Sequence, residues 1–175
     1  MLDHLSNLNH LALPSASAHF LKCCGSRAWA DSMAAGCPYA DVDAVRVKAG
    51  EVWAGLGESD WLEAFTAHPR IGDINSLRAK FANTKAWASG EQSGVAAADE
   101  AVLQGLADGN AAYEQKFGFI FIVCATGKSA AEMLDLLRAR LPNTREQEIA
   151  NAGAEQLKIT VIRINKWLES TEQTS

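Results

Sequence analysis

The sequence predicts an all-α protein, a single-domain bundle of about eight helices spanning residues 1–175 with its core at about 5–170. Three observations carry this. Helix-start caps recur along the chain, apolar residues return at spacings of three and four, and alternating strand patterns are nearly absent. A chain of 175 residues and 18.8 kDa is large enough to bury a real core within one domain.

The elements follow in order. A helical segment over 16–24 ends at Gly25, and "SRAWADSMAAG" reads as a helix from Ser26 closed by Gly36, then Cys37-Pro38. Asp41 caps a helix whose apolar positions are Val42, Val45, Ala49, Val52, Trp53 and Leu56, stopped by Gly57. Ser59 is expected to cap the short helix "DWLEAFTAH", which Pro69 ends because the residue before proline is pushed out of the α region. Ser89 and Gln92 form a capping box opening a helix towards Gly118, with a break expected near Gly109. Ser129 and Glu132 form a second box before "AEMLDLLRARL", which Pro142 halts. Thr144 and Gln147 form a third, opening a helix to about 169 with Ile149, Gly153, Leu157, Val161, Ile164 and Leu168 as its core stripe.

Composition removes several function classes. The net charge is −5 and no lysine or arginine block occurs, which argues against nucleic acid or an anionic membrane as partner. The longest apolar run, "FIFIVCA" at 119–125, is too short to cross a bilayer. There is no charged start followed by an apolar stretch, and the final "EQTS" is not a peroxisomal address, so a cytoplasmic setting is expected. Cys23, Cys24, Cys37 and Cys124 lack metal-ligand spacing and read as reduced, mostly buried thiols. His4, His10 and His19 are scattered and read as surface or packing residues, so no metal site is expected.

One stretch departs from the helical pattern. "FGFIFIVCATGKS" looks like a buried strand feeding a loop and a helix, and its "GKS" matches the end of a phosphate-binding P-loop. That loop needs glycine at position 122, where backbone N–H groups wrap the phosphates, and this chain has the β-branched Ile122. The alternative is an extended buried connector over 120–123 followed by a turn and a helix cap.

Four residues in three places carry candidate chemistry. His68, at the end of a helix, has a side chain whose pKa lies near neutrality, although a histidine there also suits the helix dipole. Glu91 and Gln92 lie in a first helical turn, which suits them electrostatically in any protein. Arg163 lies one turn from both Ile159 and Trp167, so its guanidinium sits on a partly apolar face and needs an anion or an exit to solvent.

Together "HPRIG" at 68–72, "SGEQ" at 89–92, "YEQKFGF" at 113–119 with the apolar run after it, and "VIRINKWL" at 161–168 resemble the OHCU decarboxylase family. These enzymes act on 2-oxo-4-hydroxy-4-carboxy-5-ureidoimidazoline (OHCU) in the last step of urate conversion to allantoin. The resemblance runs over roughly residues 5–170 in the family's motif order. It implies an all-α, usually homodimeric enzyme without cofactor. It also implies that His68, Glu91 and Arg163 are catalytic, and that Pro69, Ser89, Gln92, Phe119, Ile120, Phe121, Ile122 and Val123 bind the substrate. Two departures stand out: the family often has F-P-F where this chain has Phe119-Ile120-Phe121, and L-N-x-x-Y where it has Gly109-Asn110-Ala111-Ala112-Tyr113. A nucleotide-binding protein and a non-catalytic helical interaction domain are the competing readings.

Overall fold

The computed structural model describes residues 3–68, 93–124 and 128–169, with the side chains of 93–99 outside that description. Among the described residues there are eight helices and no strand. They are α1 His4–Asn9, α2 Leu13–Cys23, α3 Arg27–Ala35, α4 Val42–Ala54, α5 Glu58–Thr66, α6 Ser93–Phe117, α7 Ala130–Arg140 and α8 Arg145–Glu169. The chain divides into two compact units, one of residues 1–68 with 153–175 and one of residues 69–152.

Most helix starts follow from local hydrogen bonds. The side chains of Ser26 and Asp41 accept the backbone N–H groups of Trp29 and Ala44, as their types predict. The boxes Ser129/Glu132 and Thr144/Gln147 both close reciprocally. Elsewhere the structure corrects the expected boundaries. Helix α1 precedes every expected element, capped by Asp3, which accepts from Ser6 N at 2.7 Å. Helix α2 starts at Leu13 because Pro14 occupies its first turn, where a missing N–H costs nothing. Helix α4 closes at Gly55, two residues before the expected stop. Helix α5 begins after Gly57 rather than at Ser59, because the Asp60 carboxylate reaches back to the Gly57 N–H at 3.4 Å.

In the first unit, Phe20, Trp29, Met33, Val45, Ala49, Phe65 and Ile164 are fully buried. Buried indoles need acceptors for their N–H. Trp29 donates to the Ala49 carbonyl at 3.2 Å, Trp53 to Gly153 at 3.0 Å and Trp61 to Trp53 at 3.0 Å. The Trp53 and Trp61 rings stack at 5.1 Å, and Trp61 lies so close to Gly153 that a Cβ there would overlap the ring.

In the second unit, α6 runs unbroken through Gly109, against the expected interruption. Gly109 is a notch instead: a Cβ there would stand 2.5 Å from Leu137 of α7, and one at Gly105 2.9 Å from Leu134. Gly118, at φ +84°, ends α6 in the left-handed region that glycine enters without strain. The segment 119–124 then belongs to neither helix nor strand, so the strand-like appearance of "FIFIVC" reflects its burial.

Candidate active site

Helix α5 ends at Thr66, and two residues later the His68 N–H donates to the Phe65 carbonyl at 3.2 Å, fixing the backbone that carries the imidazole. The half-buried ring meets the side chain of Gln156, with Nε2 2.6 Å from Oε1. Gln156 has no exposed surface, and its amide nitrogen donates to the Thr160 hydroxyl at 3.1 Å. Thr160 is itself buried and donates to the Gln156 backbone carbonyl at 2.9 Å.

This arrangement corrects the expected core stripe of α8. Ile149, Leu157 and Val161 are only half-buried, whereas Glu148, Ala152, Gln156, Thr160, Ile164 and Leu168 are buried with Gly153. The buried face includes Gly153, Ile164 and Leu168 as expected, but it is rotated onto three polar side chains. A hydrophobic criterion passes over such residues, and the burial of polar groups becomes acceptable only through partners distant in sequence.

Arg163 follows Gln156 and Thr160 at helical spacings of seven and three, which places all three along one side of α8. The rise from Gln156 to Arg163 is roughly 10 Å. Arg163 is half-buried, and its Nη1 donates to the Cys23 carbonyl at 3.3 Å. Among the described residues it forms no ion pair, so the guanidinium is held by a neutral oxygen. Burial pushes the Cys23 thiol up to about 12 against the Arg163 charge, and the Cys24 thiol up to about 11 against hydrogen bonds from Ser26 and Thr160 and the same charge. Both cysteines are thus protonated at neutral pH and unsuited to nucleophilic attack. No disulfide joins the four cysteines, and among the described residues no cluster suited to a metal ion occurs.

The apolar segment Phe119–Val123 lies in the second unit. Phe119, Phe121 and Ile122 are buried, and Ile120 and Val123 half-buried. Its backbone is anchored by Arg140, whose Nη1 donates to the Ile122 carbonyl at 2.7 Å and whose guanidinium lies 4.6 Å from the Phe121 ring centre. Arg140 Nε also donates to Glu148 Oε1 at 2.7 Å, and the Tyr113 hydroxyl donates to the same oxygen at 2.5 Å. Asn143 and Asn151 donate to Oε2 at 2.8 and 2.7 Å. Burial alone pushes the Glu148 carboxyl up, but these four donors outweigh it and hold its pKa below the usual value. The sequence reading does not anticipate this network, whose members come from α6, α7, α8 and the turn between the last two.

The "GKS" stretch resolves as a helix cap. Ser129 caps α7, and Lys128 Nζ donates to the Cys124 carbonyl at 2.8 Å; Gly127 lies outside the described residues. Pro69, Ser89, Glu91 and Gln92 also lie outside them, so the S-G-E-Q candidates have no described geometry.

A family model described as OHCU decarboxylase matches residues 9–165. The chain is 39% identical over 145 residues to the uric acid degradation bifunctional protein TTL of Arabidopsis thaliana, covering 82% of this chain and 44% of that protein. It is 24% identical over 144 residues to a uric acid degradation bifunctional protein of Bacillus sp. (strain TB-90), covering 79% and 26%. The chain thus spans less than half the length of these curated relatives. Among solved structures it resembles an OHCU decarboxylase crystallised in the presence of (S)-allantoin, with a TM-score of 0.69, 37% identity, and coverage of 86% of this chain and 97% of that one. An (S)-allantoin synthase superposes with a TM-score of 0.70 at 18% identity over 96% of this chain and 55% of that one, a likeness of fold alone.

Proposed function

This chain belongs to the OHCU decarboxylase family, and from that premise we propose that it converts OHCU to (S)-allantoin and CO₂. The observation that carries the proposal is the match over residues 9–165, which includes His68, the S-G-E-Q segment, the 119–123 run and Arg163.

The chemistry suits these residue types. When the bond to the carboxylate breaks, its electron pair passes into the adjacent conjugated ring, so the reaction needs no separate electron sink. The carbon that loses CO₂ then takes one proton on one face. His68 is the group assigned to proton transfer, and its imidazole can both accept and donate near neutral pH. Arg163 presents a planar fork of donors to an anionic ring or carboxylate, and the neutral Cys23 carbonyl holds it without neutralising its charge. Glu91 orients the substrate or favours the protonated state of His68, and Gln92 offers donor and acceptor to the ureido group. Pro69 and Ser89 complete the substrate contacts near them. Phe119, Ile120, Phe121, Ile122 and Val123 supply ring contacts and backbone hydrogen bonds. The same reading makes the protein a cytoplasmic homodimer that meets neither nucleic acid nor membrane. No helix among the described residues is long and apolar enough to cross a bilayer.

The test generates OHCU in situ from urate through 5-hydroxyisourate and follows circular dichroism. Accelerated appearance of one allantoin enantiomer supports the proposal. Racemic product at the uncatalysed rate overturns it.

A further inference from the structure

We infer that Gln156 is a positioning residue that fixes His68 as its Nε2–H tautomer and thereby orients the imidazole. The inference rests on the decarboxylase reading for its catalytic consequence, while the tautomer itself follows from hydrogen-bond directions.

A threonine hydroxyl has one hydrogen. Thr160 gives its hydrogen to the Gln156 carbonyl at 2.9 Å, the back-bond one turn earlier that helical threonines commonly make. Its oxygen therefore receives a hydrogen at the second contact, and the group 3.1 Å away must be the amide nitrogen of Gln156. That choice turns Oε1 towards His68. An amide oxygen only accepts, so the 2.6 Å contact requires a hydrogen on His68 Nε2.

Turning the amide over would set Oε1 against the Thr160 oxygen, which has only one hydrogen for two acceptors. Both residues are buried, Gln156 at 0% exposure and Thr160 at 2%. A misdirected buried contact of this kind is unfavourable, because neither oxygen gains a hydrogen from the other. The observed orientation also serves both protonation states. Neutral imidazole donates from Nε2, and imidazolium donates from the same atom without moving the glutamine. The reversed amide would donate to Nε2 and so oppose imidazolium formation, which a proton-transfer residue must tolerate.

The direct test is nitrogen NMR of the intact protein labelled at histidine, with His68 assigned by its loss in His68→Asn. The expected result is a pyrrole-type Nε2 and a pyridine-type Nδ1 in the neutral ring. A pyridine-type Nε2 overturns the inference, whatever the activity. Kinetics then test the consequence. Gln156→Met keeps the shape but removes the acceptor, and should lower kcat roughly ten- to a hundredfold with KM little changed. Gln156→Glu keeps an acceptor oxygen and should retain both the tautomer and more of kcat. Equal kcat in the wild type and a folded Gln156→Met variant contradicts the positioning role. A wild-type protein with the expected tautomer but no decarboxylation overturns that role together with the reaction assignment. Activity with the opposite tautomer overturns this inference alone.

Discussion

The His68 imidazole and the Gln156 amide oxygen meet at 2.6 Å, 88 positions apart in sequence, with the glutamine fully buried. A polar side chain in that position is costly without a partner, and the histidine supplies one. The same side of α8 presents Arg163 one helical stretch further on, held by the Cys23 carbonyl. Gln156 and Arg163 thus share one side of α8, while His68 follows α5, so variants at these positions can be tested separately.

Arg163→Ala should lower kcat/KM by roughly ten- to a hundredfold, the loss expected for a charge-assisted hydrogen bond of about 1.5–3 kcal/mol. Arg163→Lys should recover only part of this, because an ammonium cannot reproduce a planar two-point contact. Steady-state kinetics with in situ substrate measure both. Unchanged kcat/KM in Arg163→Ala would remove the residue from the site.

The Arg140–Glu148–Tyr113 network should matter to stability first. Arg140→Met leaves the buried Glu148 carboxylate without its cation, and breaking a buried pair in this way costs about 3–5 kcal/mol. Denaturant unfolding would show it as a lower midpoint.

The sign of the pH dependence follows from Glu148. Its folded pKa lies below the unfolded value, so the unfolded chain takes up the proton first as pH falls. The stabilisation is present above the ordinary glutamate range and is lost as pH drops through the lowered folded value. Glu148→Gln should flatten that acid limb of the stability profile. An identical acid limb in the variant would contradict the assignment.

Glycine substitutions should split by sign. Gly50 sits inside α4, and a Cβ there meets Leu157 at an ordinary 3.8 Å. Gly50→Ala should therefore stabilise by about 0.5–1 kcal/mol through helix propensity. Gly153→Ala drives a methyl into the Trp61 ring, and overpacking of this kind costs about 1–3 kcal/mol. Thermal melts of the two variants, shifted in opposite directions, are the expected outcome.

Much of this fold was legible because helix starts are local. Ser26, Asp41, Ser129 with Glu132 and Thr144 with Gln147 each bond to backbone within three residues, so short-range pattern suffices. Helix α1 escaped because six residues with one buried leucine carry too little periodicity. Gly109 reads as a break in sequence because its role is to admit Leu137, a neighbour no local rule contains. The same reason hid Gln156. Its burial makes sense only once His68 is in place, whereas the apolar pattern of α8 pointed to Leu157 beside it. Of the candidate site residues, His68 and Arg163 are legible through residue type and neighbours, and the rest only through the family motifs.

The measurement that reaches the central claim most directly compares wild type with His68→Asn in the enantiomer-resolved assay, with helical content checked by far-ultraviolet circular dichroism. The account predicts an intact fold and a loss of roughly a hundred- to ten-thousandfold in decarboxylation, the range that general acid–base catalysis supplies. A folded His68→Asn protein that still makes (S)-allantoin at the wild-type rate would contradict it.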